Sequence, residues 1–156
     1  MIKGKGVSIG IGFGNVVLIK NEERKIEKDT IEDTNAEIDR FKKALKDVET
    51  ETKEIVEKKT GTEKEIMSAY LMILEDPALI QETEKGIQDL KYNAEYAVEI
   101  GFNSVIQIFE NMNDEYMASR SRDIADIKNR ILAKLLKEEV VKLNKLEPNT
   151  IIVATE

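Results

Sequence analysis

The feature that most constrains this chain is a long helical rhythm with a β-branched run at either side. Ile38, Phe41, Leu45, Val48, Ile55 and Val56 recur mostly at steps of three, four and seven, so one helix face is apolar. The same rhythm passes through Ile66, Met67, Tyr70, Leu71, Ile73 and Leu74, then Ala97, Val98, Val105, Ile106 and Phe109. It ends with Ile124, Ile127, Ile131, Leu132, Leu135 and Leu136. Before it, Val7, Ile9, Ile11 and Phe13 alternate with small residues and lead into Val16-Val17-Leu18-Ile19; after it comes Ile151-Ile152-Val153. Period-two and β-branched runs predict strands, here over residues 5–20 and 151–153. The order is therefore strand, helices, strand, and the terminal pieces are expected to share one small, incomplete sheet.

Punctuation divides the helical part. Thr34 and Glu37 have capping-box spacing, as do Thr62 and Glu65, because hydroxyl and carboxylate reciprocally satisfy exposed amides. Thr60-Gly61 predicts the end of the first helix. Asp76-Pro77 predicts a sharp break, with Asp76 as N-cap and Pro77 at the first position of a helix reaching Leu90. Asn93 caps a fourth helix and a fifth begins around Asn113. Asn21 to Asp33 reads as a polar stretch. Gly10-Ile11-Gly12-Phe13-Gly14 is neither a dinucleotide fingerprint nor a P-loop, so a turn between strands is expected there.

Several chemistries are excluded by absent residues. The chain has no histidine and no cysteine, which removes the commonest neutral-pH acid–base group, disulfides and the usual zinc ligands. Carboxylates could hold magnesium or calcium, but EF-hand spacing is absent. A net charge of -7 speaks against nucleic acid and suits a basic protein partner. No run approaches the ~20 apolar residues of a membrane span, and the N-terminus lacks a signal-peptide pattern. A cytoplasmic location without membrane attachment is expected.

Three segments together carry a family resemblance. Gly6-Val7-Ser8-Ile9-Gly10-Ile11-Gly12 followed by an apolar strand is similar to an opening of Ser-Pro-Gly-Ile-Ala type, with Ile9 in the proline position. Ala69-Tyr70-Leu71-Met72-Ile73-Leu74-Glu75-Asp76-Pro77 is similar to Ala-His-Leu-x-x-Leu-Glu-Asp-Pro, with Tyr70 in place of the histidine. Asn113-Asp114-Glu115-Tyr116-Met117, with Arg120, Asp123, Ile124, Asp126, Ile127 and Arg130, is similar to Glu-Tyr-Leu-x-x-Arg-x-x-Asp-Ile-x-Asp-x-x-x-Arg. In order and spacing these resemble the Enzyme I (phosphoenolpyruvate-protein phosphotransferase) family of the bacterial sugar phosphotransferase system.

The resemblance implies a mainly α fold: an HPr-binding helical bundle inserted between strands of an incomplete swivelling α/β domain. It implies residues 1–20 as the first strands of that domain, 21–146 as the HPr-binding domain and 147–156 as the returning strand. The family's phosphorylated histidine sits in a Gly-Gly-x-Thr-Ser-His motif lying beyond these residues, and a separate barrel binds phosphoenolpyruvate and magnesium. The implied chain is thus the N-terminal part of an enzyme, inactive alone, with no cofactor of its own and the phosphocarrier HPr as partner. Partner-binding residues implied are Met72, Ile73, Leu79, Phe109 and Met117 as an apolar patch, Tyr116 beside them, Asp76 for a basic partner, and Arg120 for the phosphoryl group. Each has an ordinary alternative: burial for the apolar set, capping for Asp76, and a surface pair with Asp123 or Glu115 for Arg120. Glu65 and Glu75 could also face a basic partner, while Leu71 and Leu74 belong to the core. Uncovered strands would permit self-association. A stand-alone helical adaptor is the competing class; a carboxylate-based magnesium hydrolase is disfavoured, because no paired acidic motif on facing helices supports it.

Overall fold

The computed structural model describes residues 5–19, 24–112, 114–138 and 146–154. Two compact units form: Lys25–Glu139, and a second made from both ends, Met1–Arg24 with Val140–Glu156.

The larger unit is five helices, α1 (Thr34–Lys58), α2 (Gly61–Leu74), α3 (Pro77–Gln88), α4 (Ala94–Glu110) and α5 (Glu115–Leu135). Phe41, Ala44, Val48 and Thr52 of α1 are its buried stripe, at steps of three and four. They join Tyr70 and Leu74 of α2, Leu79 and Ile87 of α3, Val98 and Phe102 of α4, and Ile124, Ile127 and Ile131 of α5 in one core. Each helix closes its narrow apolar stripe against the others, which is where most helical stability in proteins arises.

Caps fix the boundaries, though not always as the spacing suggests. The N-cap of α1 is Asp33, whose carboxylate accepts from the Ala36 amide at 3.0 Å, so Thr34 is the first helical residue. An aspartate one position earlier reaches the third amide, and Glu37 is released for a longer reach. It accepts from the Ala94 amide at the start of α4 (2.7 Å) and pairs with Arg40 (2.6 Å). Gly61 likewise opens α2 rather than closing α1: its φ of +61° makes the reversal after extended Lys59 and Thr60. That places Thr62 inside α2, and the expected Thr62–Glu65 box is not the start of the helix. The break at Asp76-Pro77 stands as expected, with the Asp76 carboxylate accepting from Ala78 at 2.8 Å. Asn93 is the N-cap position of α4, but its side chain accepts from the Asp29 amide (2.9 Å) instead of capping. Asp114 caps α5 through the Met117 amide; Asn113 lies outside the described residues, as do Asn21 to Glu23 of the polar stretch.

The rest of that stretch is tied down. Ile31 donates to the Lys91 carbonyl (2.9 Å), Asn93 to the Asp29 carbonyl (3.1 Å), and Thr30 bridges Tyr92. Beneath it Arg40 gathers three helices: it bonds Glu37 of its own helix, Glu95 of α4 and the Leu135 carbonyl of α5 (3.1 Å). Burial alone would lower the Arg40 pKa, yet the two carboxylates win and hold it above the ordinary value.

In the smaller unit β1 (Asn15–Ile19) pairs in parallel with β2 (Thr150–Ala154), Asn15 opposite Thr150 and Ile19 opposite Ala154. Residues 5–14 are not a strand, and the glycines are not a turn between strands. Among the described residues nothing pairs with them, and Val7, Ile9, Ile11 and Phe13 are all exposed. Alternation with small residues supplies neither a ladder nor a face to bury. Gly14 has a definite task, since a Cβ there would lie 1.8 Å from the Asn149 carbonyl oxygen that the Asn15 amide bonds at 3.0 Å.

Candidate functional site

The implied partner-binding residues fall on the end of α2, the start of α3, the last turn of α4 and the start of α5. Along α2, Tyr70 and Leu74 turn inward while Met72, 74% exposed, points to solvent and Ile73 is half-buried against the core. Asp76 is exposed, its carboxylate committed to the cap of α3. Leu79 departs from the expectation: it is 3% exposed and sits in the core. With Thr83 and Ile87 it forms the inward row of α3 at steps of four, so its side chain is not on a docking face.

Phe109 is half-buried against the core, and Met117 is half-buried on α5. Tyr116 is 61% exposed, and its hydroxyl accepts from Arg120 Nε (3.2 Å) and Nη2 (2.8 Å). The Arg120 guanidinium carbon lies 5.1 Å from the Tyr116 ring centroid, and Nη1 stands 3.7 Å from Asp123. The ordinary ion pair with Asp123 therefore exists, at a loose distance. What sequence reasoning missed is that Tyr116 clamps the arginine, by hydrogen bonds and by a cation over its ring. Spacing alone could have raised it, because positions four apart share a helix face.

The α2–α5 contact is fixed by Tyr70, 7% exposed, whose hydroxyl donates to Asp126 at 3.0 Å while the Arg130 guanidinium lies over its ring at 5.5 Å. Burial first, then the bond to Asp126 and the Asp126 charge, push the Tyr70 phenol up to about 12. Tyr70 is thus a neutral, packed donor at neutral pH. Of the acidic residues, Glu65 is exposed on α2 and Glu75 pairs with Lys53 at 3.6 Å. Ile108 and Met112, at the end of α4 and just beyond it, add exposed apolar area that the motif reading did not include. Their signal was an excess: Ile106 and Phe109 already fill the inward face, so Ile108 has no place on it.

Among the described residues no group of three or more acidic, histidine or cysteine side chains could hold a metal ion, and no helix is long and apolar enough to cross a membrane.

Residues 3–120 match the family described as PEP-utilising enzyme, N-terminal. The phosphoenolpyruvate-protein phosphotransferase of Staphylococcus carnosus (strain TM300) is 34% identical over 159 residues, covering 99% of this chain and 28% of that protein. Its counterpart in Bacillus subtilis (strain 168) is 33% identical with the same coverage. The chain thus spans 28% of the length of these curated relatives. A solution structure of an Enzyme I protein, nEIt, superposes with a TM-score of 0.84 at 34% identity, over 100% of this chain and 65% of that one. The N-terminal domain of Enzyme 1 - Nitrogen shares the fold at TM-score 0.73 and 18% identity, over 92% of this chain and 60% of that one.

Proposed function

The chain belongs to the family of PEP-utilising enzymes, N-terminal part, and on that premise we propose that its helical unit is the HPr-docking module of a cytoplasmic phosphoenolpyruvate-protein phosphotransferase. In the whole protein, phosphate would pass from phosphoenolpyruvate to a histidine and then to HPr. This chain contains no histidine, so its part is to seat HPr and to steady the phosphoryl group between donor and acceptor.

The observation that carries the reading is the Tyr116–Arg120 pair at the start of α5, beside the helix that exposes Met72. A guanidinium held by a phenol has part of its rotamer freedom already spent and keeps N–H donors for a phosphoryl oxygen. Met72, Ile73, Phe109, Tyr116 and Met117 supply apolar area for the partner, with flexible methionines suited to an adaptable contact. Asp76 offers acidic charge to a basic protein while still capping α3. Magnesium, phosphoenolpyruvate and the acceptor histidine belong to other parts of the enzyme.

Titrating HPr from the same organism into the isotope-labelled chain tests the docking. Shifts are expected from Tyr70 to Ala78 and from Glu115 to Arg120; shifts confined to α1 would overturn the assignment. Labelled phosphoenolpyruvate should leave the chain alone unlabelled. In the full enzyme Arg120→Ala should slow phosphoryl transfer to HPr more than it weakens HPr binding.

A further inference from the structure

A second charged site lies away from the Tyr116–Arg120 region. A cavity of about 400 Å³ is lined by Arg40, Lys43, Ala44 and Asp47 of α1 and by Lys134, Leu135 and Lys137 at the end of α5. Glu37 and Glu95 pair with Arg40 and Glu51 pairs with Lys134, so the cations that remain for a ligand are chiefly Lys43 and Lys137, beside the one lining carboxylate, Asp47. We propose that this cavity binds a small anion bearing two linked phosphate groups.

The cations are not equivalent, and their differences support the assignment. Lysines in the last turn of a helix are ordinarily explained by its negative end. That covers Lys134 but not Arg40 and Lys43, which come from the interior of α1. Arg40 is fixed by Glu37, Glu95 and the Leu135 carbonyl, so it enters the site already oriented. Lys134 bonds Glu51 at 2.6 Å, and an ammonium has three donors, leaving others for an anion. Among the described residues no carboxylate pairs with Lys43 or Lys137.

Lys137 stands where the helix closes beside the cavity. Glu138 donates to the Ala133 carbonyl (2.9 Å) and Lys137 to the Lys134 carbonyl (3.2 Å), the Schellman pattern that closes a helix. The residue between must be left-handed, and Lys137 has φ +54°. Glycine or asparagine usually fills that place, since a Cβ is strained there. Lys91 takes the same conformation just after α3 at φ +53°, so what sets Lys137 apart is that its side chain lines the cavity. The volume lies in the range of small-molecule pockets. Phosphates suit it better than carboxylates, because each carries more charge and more acceptor oxygens for several clustered cations.

Inorganic pyrophosphate titrated into the chain, followed by amide shifts and calorimetry, is the test. Saturable binding is expected, with shifts centred on Lys43 and on Lys134 to Lys137, and succinate should bind far more weakly. Lys43→Ala combined with Lys137→Gly should weaken pyrophosphate roughly tenfold, as expected for two lost charge contacts. Lys137→Gly alone relieves the left-handed strain, so its melting temperature should hold or rise while affinity falls. Lys42→Ala is the one-charge control to set beside Lys137→Gly, since Lys42 pairs with Glu84 outside the cavity. Absent saturation, unchanged affinity in the double variant, or equal weakening by Lys42→Ala would each overturn the site. No phosphocarrier is present in this experiment, so its failure would leave the HPr docking reading untouched.

Discussion

The helical unit and the two-stranded ribbon are written in different codes. In the helices, residues three and four apart build each face locally, and the faces close on a core that contains Phe41, Ile87, Ile127 and Ile131 with no exposure. In the ribbon, two five-residue strands from opposite ends of the chain meet in parallel, and Val16, Leu18, Ile151, Ile152 and Val153 stay partly open to solvent. A parallel pair draws on contacts far apart in sequence, so its loop-closure entropy is large while its buried area is small. Two strands alone are marginal in water. Stability should therefore reside almost wholly in the helices.

The sharpest way to break this comparison is to remove matched side chains from the two units. Phe41→Ala should cost about 3–5 kcal/mol in urea unfolding, because it empties a core position that cannot readily collapse. A loss below about 1 kcal/mol would mean the core is looser than its burial implies. At the other extreme, Leu18→Ala in the ribbon should change the helical transition by less than about 0.5 kcal/mol.

Between these lies the α2–α5 contact. The Tyr70 phenol has a folded pKa of about 12 against an ordinary value near 10. The folded state thus holds the proton more tightly, and the contact contributes fully below about pH 10. That contribution should be lost as pH rises through 12, and Tyr70→Phe should remove this alkaline step from the melting profile. A smaller loss is expected from Asp76→Ala, about 1 kcal/mol for a missing cap. It should weaken HPr as well if the exposed carboxylate meets the partner, and heat stability with HPr affinity measured on one variant separates the two roles.

What the sequence made legible follows the same divide. The break at Asp76-Pro77 was readable because proline and an acidic cap act within one turn. The helices were readable because their period is local. Spacing makes Glu37 a capping partner for Thr34, yet it reaches 57 residues along the chain to Ala94, and no local spacing announces such a bond. The Arg40 hub was missed for the same reason. Motif alone puts Leu79 on a docking patch, whereas its row with Thr83 and Ile87 faces the core. Val7 to Phe13 showed strand alternation without a partner ladder, and alternation is only half of what a strand requires. At the candidate site, motif puts Arg120 and Tyr116 on one helix, and the fold adds that the tyrosine holds the arginine.

Hydrogen exchange on the intact monomeric chain tests the central division most directly. The slowest amides should belong to α1, α4 and α5 around Phe41, Val98 and Ile127, exchanging only through global unfolding, while Val16 to Leu18 and Ile151 to Val153 exchange orders of magnitude faster. Ribbon protection that grows with concentration would agree, since open strand edges recruit other chains. Ribbon amides as slow as the helical core in a strictly monomeric sample would contradict it.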